Sequence, residues 1–88
     1  MKEIKNALRE LRESKHLSIS EMALIVKMQY ANYINLEEGR YGEKIPFRVQ
    51  VILYQVFGVN LKEFNEDFGL YVAGLRDKAL KKLVELNV

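Results

Sequence analysis

The chain has 88 residues, 49% of them hydrophobic and 30% charged, which suits one domain with a single modest core and excludes a disordered or low-complexity chain. It has no cysteine and one histidine, His16, so disulfides, thiolate metal sites and histidine pairs are excluded, and no metal, cofactor or catalytic residue is expected. No apolar run reaches the roughly 20 residues of a membrane span, the start Met1-Lys2-Glu3-Ile4 lacks a signal-peptide core, and a net charge of +2 permits a nucleic-acid partner without demanding one.

Those features give the expectation of a cytoplasmic protein with no membrane partner. Clean polar–apolar alternation over a strand's length is missing, so the expected class is all-α. A first helix is predicted over about Lys2 to Lys15, with Ile4, Leu8 and Leu11 on one apolar face. Ser18-x-x-Glu21 is a capping box that opens a second helix, to Val26, with Met22, Ala23 and Val26 inward. A break at Lys27-Met28 precedes a third helix from Gln29 to about Glu38, which buries Tyr33 and Leu36 and stops at Gly39. Two short helices over a tight turn form a helix-turn-helix, whose second helix usually enters the DNA major groove.

Arg40 to Ile45 reads as a loop, and Pro46 suits the first turn of a fourth helix with Val49, Ile52, Leu53 and Val56 inward, ending near Gly58. Asn60-x-x-Glu63, with Val59 and Phe64 as hydrophobic staple, starts a short fifth helix. Asn65 to Asp67 then caps a last helix over about Phe68 to Leu86. The expected organisation is a helix-turn-helix domain over residues 1–67 and a C-terminal amphipathic helix over 68–88.

The run Leu8-Arg-Glu-Leu-Arg-Glu-Ser-Lys-His-Leu-Ser-Ile-Ser-Glu-Met-Ala23, with Tyr33-Ile-Asn-Leu-Glu-Glu-Gly39 and Leu53-Tyr-Gln-Val-Phe-Gly-Val-Asn-Leu-Lys-Glu-Phe64, resembles the phage repressor and Cro-like helix-turn-helix (XRE) family. The resemblance runs from about Ile4 to Phe64. It implies a five-helix, lambda-repressor-like DNA-binding domain, here with an additional C-terminal helix, and the third helix as recognition helix. It places Arg12 and Glu37 where many relatives hold a structural ion pair, and His16 at the first helix's stop. Lys27 stands where relatives usually have a turn glycine, and Ile19 where they often have a phosphate-binding glutamine.

With Tyr33 and Leu36 inward, helical geometry turns Tyr30, Ala31, Ile34, Asn35 and Glu38 outward. The family's contacts map to Gln29, Tyr30, Ala31 and Asn35 as base contacts. Asparagine pairs with adenine in the major groove, and alanine or tyrosine packs on a thymine methyl. Lys27, Arg40, Lys44 and Arg48 are the candidate phosphate contacts.

On the last helix Val72, Leu75, Ala79, Leu83 and Leu86 form an apolar stripe with two possible destinations, the chain's own domain or a homodimer interface. The expected function is a homodimeric, sequence-specific transcriptional regulator bound to double-stranded DNA, a repressor or antitoxin-like autoregulator, and not an enzyme. The alternative is a protein-binding adaptor, favoured by Leu24, Ile25, Tyr30 and Ile34 on the outer face and by Glu37, Glu38 and Glu43 among the bases.

Overall fold

The computed structural model describes residues 5–86. All regular structure among them is α-helical: α1 (Ala7–Ser14), α2 (Ile19–Ile25), α3 (Tyr30–Glu37), α4 (Phe47–Phe57) and α5 (Leu61–Leu86). The expectation for Ile4 lies outside the described residues.

The first helix starts later than Lys2. Asn6 is its N-cap: the side-chain oxygen accepts from the Arg9 N–H at 3.0 Å, and the side-chain amide donates to the Glu37 carbonyl at 2.6 Å. One buried side chain thus closes the start of α1 and ties it to the end of α3.

Three successive helices end in the same way. In each, a residue in left-handed conformation lets two backbone N–H groups turn back to carbonyls of the last turn, a Schellman closure. After α1, His16 (φ 57°) and Leu17 donate to Glu13 and Arg12. After α2, Lys27 (φ 59°) and Met28 donate to Leu24 and Ala23. After α3, Gly39 (φ 79°) and Arg40 donate to Leu36 and Asn35. Only the third uses a glycine, so His16 and Lys27 each carry about 1 kcal/mol of backbone strain.

The core is one cluster: Leu8 of α1, Met22 and Ala23 of α2 with Val26 at its end, Tyr33 and Leu36 of α3, Ile45 just before α4, Val49 and Leu53 within α4, and Phe68 of α5. Pro46 is the N-cap of α4 rather than its first helical residue, and Gly58 (φ 66°) closes that helix. Val56, expected inward, is 58% exposed. Phe57, four residues after Leu53, takes the inward place in the last turn and packs against the core, while nothing covers its neighbour.

The predicted short fifth helix and separate last helix are one helix. Asn60 caps its start by accepting from the Glu63 N–H at 3.2 Å. Asn65, read as part of a second cap, sits inside the helix and donates to Gln50 Oε1 of α4 at 3.0 Å. Continuity keeps Phe64 and Phe68, four residues apart, on one face against the core. The expected boundary at residue 67 therefore falls within a continuous helix.

The first half of α5 packs against α1 and beside Gly39, where Val72 and Leu75 approach. From Leu75 onward every described residue is exposed, and α5 projects from the bundle, so that the described residues extend over 48 × 25 × 24 Å. No helix among the described residues is long and apolar enough to cross a membrane.

Candidate nucleic-acid interface

The helix-turn-helix is built from local sequence. The Ser18 box is complete, with the Glu21 N–H donating to Ser18 Oγ at 3.1 Å and the Ser18 N–H to Glu21 Oε1 at 2.9 Å. The Ser18 backbone bond, then its hydroxyl, holds the Glu21 carboxyl below its ordinary range. The turn at Lys27 is as tight as a glycine turn, and α3 follows with Gln29 as N-cap. The Gln29 side chain makes no capping bond. The N–H groups of the first turn of α3 thus remain available to an acceptor in solution.

Gln29, Tyr30 and Ala31 are exposed at the start of α3, while Ile34, Asn35 and Glu38 are half-buried. Asn35 is not free. Its Oδ1 accepts from Arg40 Nη1 at 3.0 Å, and Arg40 Nη2 lies 2.9 Å from Glu38 Oε2. Arg40, read as a phosphate contact, is therefore held along the end of α3 by an amide and a carboxylate. Lys27, Lys44 and Arg48 are exposed and have no ion-pair partner among the described residues. They sit in the turn before α3, in the loop after it and in the first turn of α4.

Sequence reasoning missed Asn32. It is exposed, and its Oδ1 accepts from the Tyr41 hydroxyl at 3.2 Å, which fixes the chain leaving α3 against that helix.

Behind this surface lies a charged anchor. Arg12 grips Glu37 with two parallel bonds, Nε to Oε2 at 3.0 Å and Nη2 to Oε1 at 3.1 Å. Its Nη1 donates to the Leu17 carbonyl at 3.0 Å, so one guanidinium joins α1, the link to α2, and α3. Arg9 Nε adds a third contact to Glu37 at 3.3 Å. Burial is the largest single influence on Glu37 and acts to raise its pKa, but the opposing influences, led by the hydrogen bonds from Arg12, hold the carboxyl below its usual range. Arg12 is pushed up, chiefly by its hydrogen bond to Glu37. Tyr33 lies buried beside this pair, its hydroxyl closing no well-formed hydrogen bond, and burial followed by the Glu37 carboxylate drives its pKa far upward.

Of the expected dimer stripe, Val72 packs on the chain's own core and Leu75 lies beside Gly39, whereas Ala79, Leu83 and Leu86 are exposed. The two destinations read from the sequence divide along the helix: its first half packs at home, and its second half is exposed, with no partner among the described residues.

No family model matches this chain, and no curated protein or solved structure matches it.

Proposed function

We propose that the chain is a sequence-specific DNA-binding regulator of the phage repressor and Cro-like helix-turn-helix family. In this reading it has a lambda-repressor-like fold and acts in the cytoplasm as a homodimer. The observation that carries the reading is the α2–turn–α3 unit. A left-handed closure at Lys27 delivers α3 with Gln29, Tyr30 and Ala31 outward at an N-terminus whose side-chain cap is missing. Helix N-termini favour anions, so Gln29 and the first-turn N–H groups meet a phosphate while Tyr30 and Ala31 lie against base edges. Lys27, Lys44 and Arg48 supply unpaired positive charge around α3, and Asn35, one turn further on, reads a base once Arg40 swings from its Oδ1 toward a phosphate.

A second reading, a helix-turn-helix retained as a protein-binding adaptor, draws on two observations. Arg40 is neutralised by Glu38, and Leu24 (78% exposed) and Tyr30 (53% exposed) leave apolar surface next to the turn.

Selection from random oligonucleotides at about 150 mM salt, where weak charge binding is largely screened, separates the two. The regulator recovers a palindrome with half-sites about one helical turn apart. Recovery of salt-sensitive background alone refutes DNA reading and leaves the adaptor.

A further inference from the structure

We infer that α5 pairs antiparallel with α5 of a second copy, the projecting tail of each lying in an apolar groove of the other. The inference rests on the homodimer part of the proposed function and supplies the surface that receives the tail.

The groove has a volume of about 1140 Å³ and runs between Tyr41, Ile45 and Phe47 on one side and Gly69, Leu70 and Ala73 of α5 on the other. Its walls are unusually apolar for free surface: Phe47 is 77% exposed, Leu70 56% and Tyr41 51%. The volume is that of about two to three turns of helix, at a diameter near 10 Å and 5.4 Å per turn. The groove face of α5 does not end where the groove ends. Glu66, Gly69 and Ala73 line it, and the same three- and four-residue steps continue through Arg76, Leu80 and Leu83, so the face is apolar apart from one acid at the groove's outer end and one base near its middle. The stripe is therefore small or open in its first half, at Gly69 and Ala73, and large in its second, at the exposed Leu80 and Leu83. An antiparallel pair with its two-fold axis just after Gly74 sets Leu80 of each copy opposite Gly69 of the other and Leu83 opposite the groove's outer end at Glu66. Both copies then use the same surface, as a two-fold interface requires.

Charge selects this orientation. The first turns of α5 carry Glu63, Glu66 and Asp67 against Lys62 alone, and residues 76–86 carry four bases against two acids. Among the described residues none of these side chains forms an ion pair within the chain. Antiparallel pairing brings Lys81 and Lys82 within a turn of Glu66 and Asp67 of the second copy. Parallel pairing stacks acid on acid and base on base.

The full chain, free of cysteine, takes a single label cleanly. Sedimentation without DNA gives a dimer. A spin label at Leu86→Cys finds its mate about 35–40 Å away, from 1.5 Å per residue on either side of the axis. A label separation near 10 Å, the value for parallel helices, overturns the inference, as does a monomer at the highest soluble concentration. Leu80→Glu and Phe47→Glu each weaken the dimer by about tenfold or more. A dimer indifferent to Phe47→Glu refutes docking in the groove. Should either variant fail to fold, Glu66→Lys and Lys81→Glu, both at exposed positions, replace them. Each alone weakens the dimer and the double variant restores it, and failure to restore counts against the pairing. None of these measurements involves DNA, so loss of the DNA reading leaves them standing, whereas a monomer removes the homodimer part of that reading and leaves base recognition to the oligonucleotide selection.

Discussion

Replacing Glu37 by glutamine tests how α1, α2 and α3 are held in register. The substitution keeps shape and volume but places an amide against a guanidinium that still needs an anion. Glu37 is 4% exposed at its side chain and Arg12 13%, so water cannot take the carboxylate's place at Arg12, whereas Arg9, 44% exposed, can turn outward. The penalty therefore falls on Arg12, which keeps its bond to the Leu17 carbonyl, one amide oxygen of the glutamine and an exposed Glu13 carboxylate 3.9 Å away, but loses its buried anion. Breaking one side of a buried pair costs about 3–5 kcal/mol, and the residual exposure of Arg12 puts this site near 3. A domain of this size has roughly 4–13 kcal/mol in all, so the loss is a large share. Urea unfolding followed by far-ultraviolet dichroism should show a lowered midpoint with an unchanged slope. The double variant Arg12→Met/Glu37→Leu should be more stable than Glu37→Gln, because it removes both charges together. The depressed pKa of Glu37 adds a pH signature. Its stabilisation is present above the ordinary carboxylate value of about 4.3 and is lost as pH falls through the lower folded value, so Glu37→Gln should flatten the acid limb of the stability profile. A loss under about 1 kcal/mol, or a double variant no better than the single, would refute the idea that this pair holds the helices.

Lys27→Gly should raise stability by about 1 kcal/mol, since φ 59° suits glycine; a fall in thermal midpoint would mean the lysine side chain itself stabilises the turn. Gly39→Ala should cost about 2–3 kcal/mol, because a Cβ there lies 2.9 Å from Val72 Cγ2 at a left-handed φ, while Gly58→Ala, with open space, should cost about 1. Equal losses would show that α5 yields to the contact. Tyr33→Phe should be nearly neutral at pH 7, as the hydroxyl closes no well-formed bond. In the wild type, the raised Tyr33 pKa means stability is full below the ordinary tyrosine value of about 10 and falls above it, so the variant should lose less in alkali; identical alkaline profiles would contradict this. Asn35→Ala should cost about 1–3 kcal/mol of DNA binding at one base position. An equal loss on every sequence would assign Asn35 to holding Arg40 rather than to reading a base.

Features set by neighbours in sequence were legible in advance. The Ser18–Glu21 box, the stop at Gly39 and the closure at Gly58 depend on residues within one turn, and each lies at its expected place. What escaped depends on distant partners. Asn6 falls inside the helix expected over Lys2 to Lys15, and its tie to α3 comes from a carbonyl 31 positions away. Asn65 carried the chemistry of a cap, yet Gln50 gives it a partner inside a helix, and the adjacent acids face water. Ile45 was assigned to a loop and lies in the core, since a single apolar residue beside a proline has no period to betray it. At the candidate interface the outward turn of Tyr30 and Ala31 followed from helical geometry. The capture of Arg40 by Asn35 and Glu38 required side-chain conformations that spacing does not encode.

The continuity of α5 has a consequence for how its tail becomes ordered. Residues 76–86 have too few turns to start a helix alone, since isolated segments under about 12–15 residues are marginal in water. The turns clamped by Phe64, Phe68 and Val72 serve as the nucleus, and each later residue adds to a ladder already begun. Order in the tail is thus inherited from the bundle and decays outward. Amide exchange should quicken steadily from Val72 toward Leu86 in the free chain, and a ligand seated on the last turns should slow exchange back toward the nucleus.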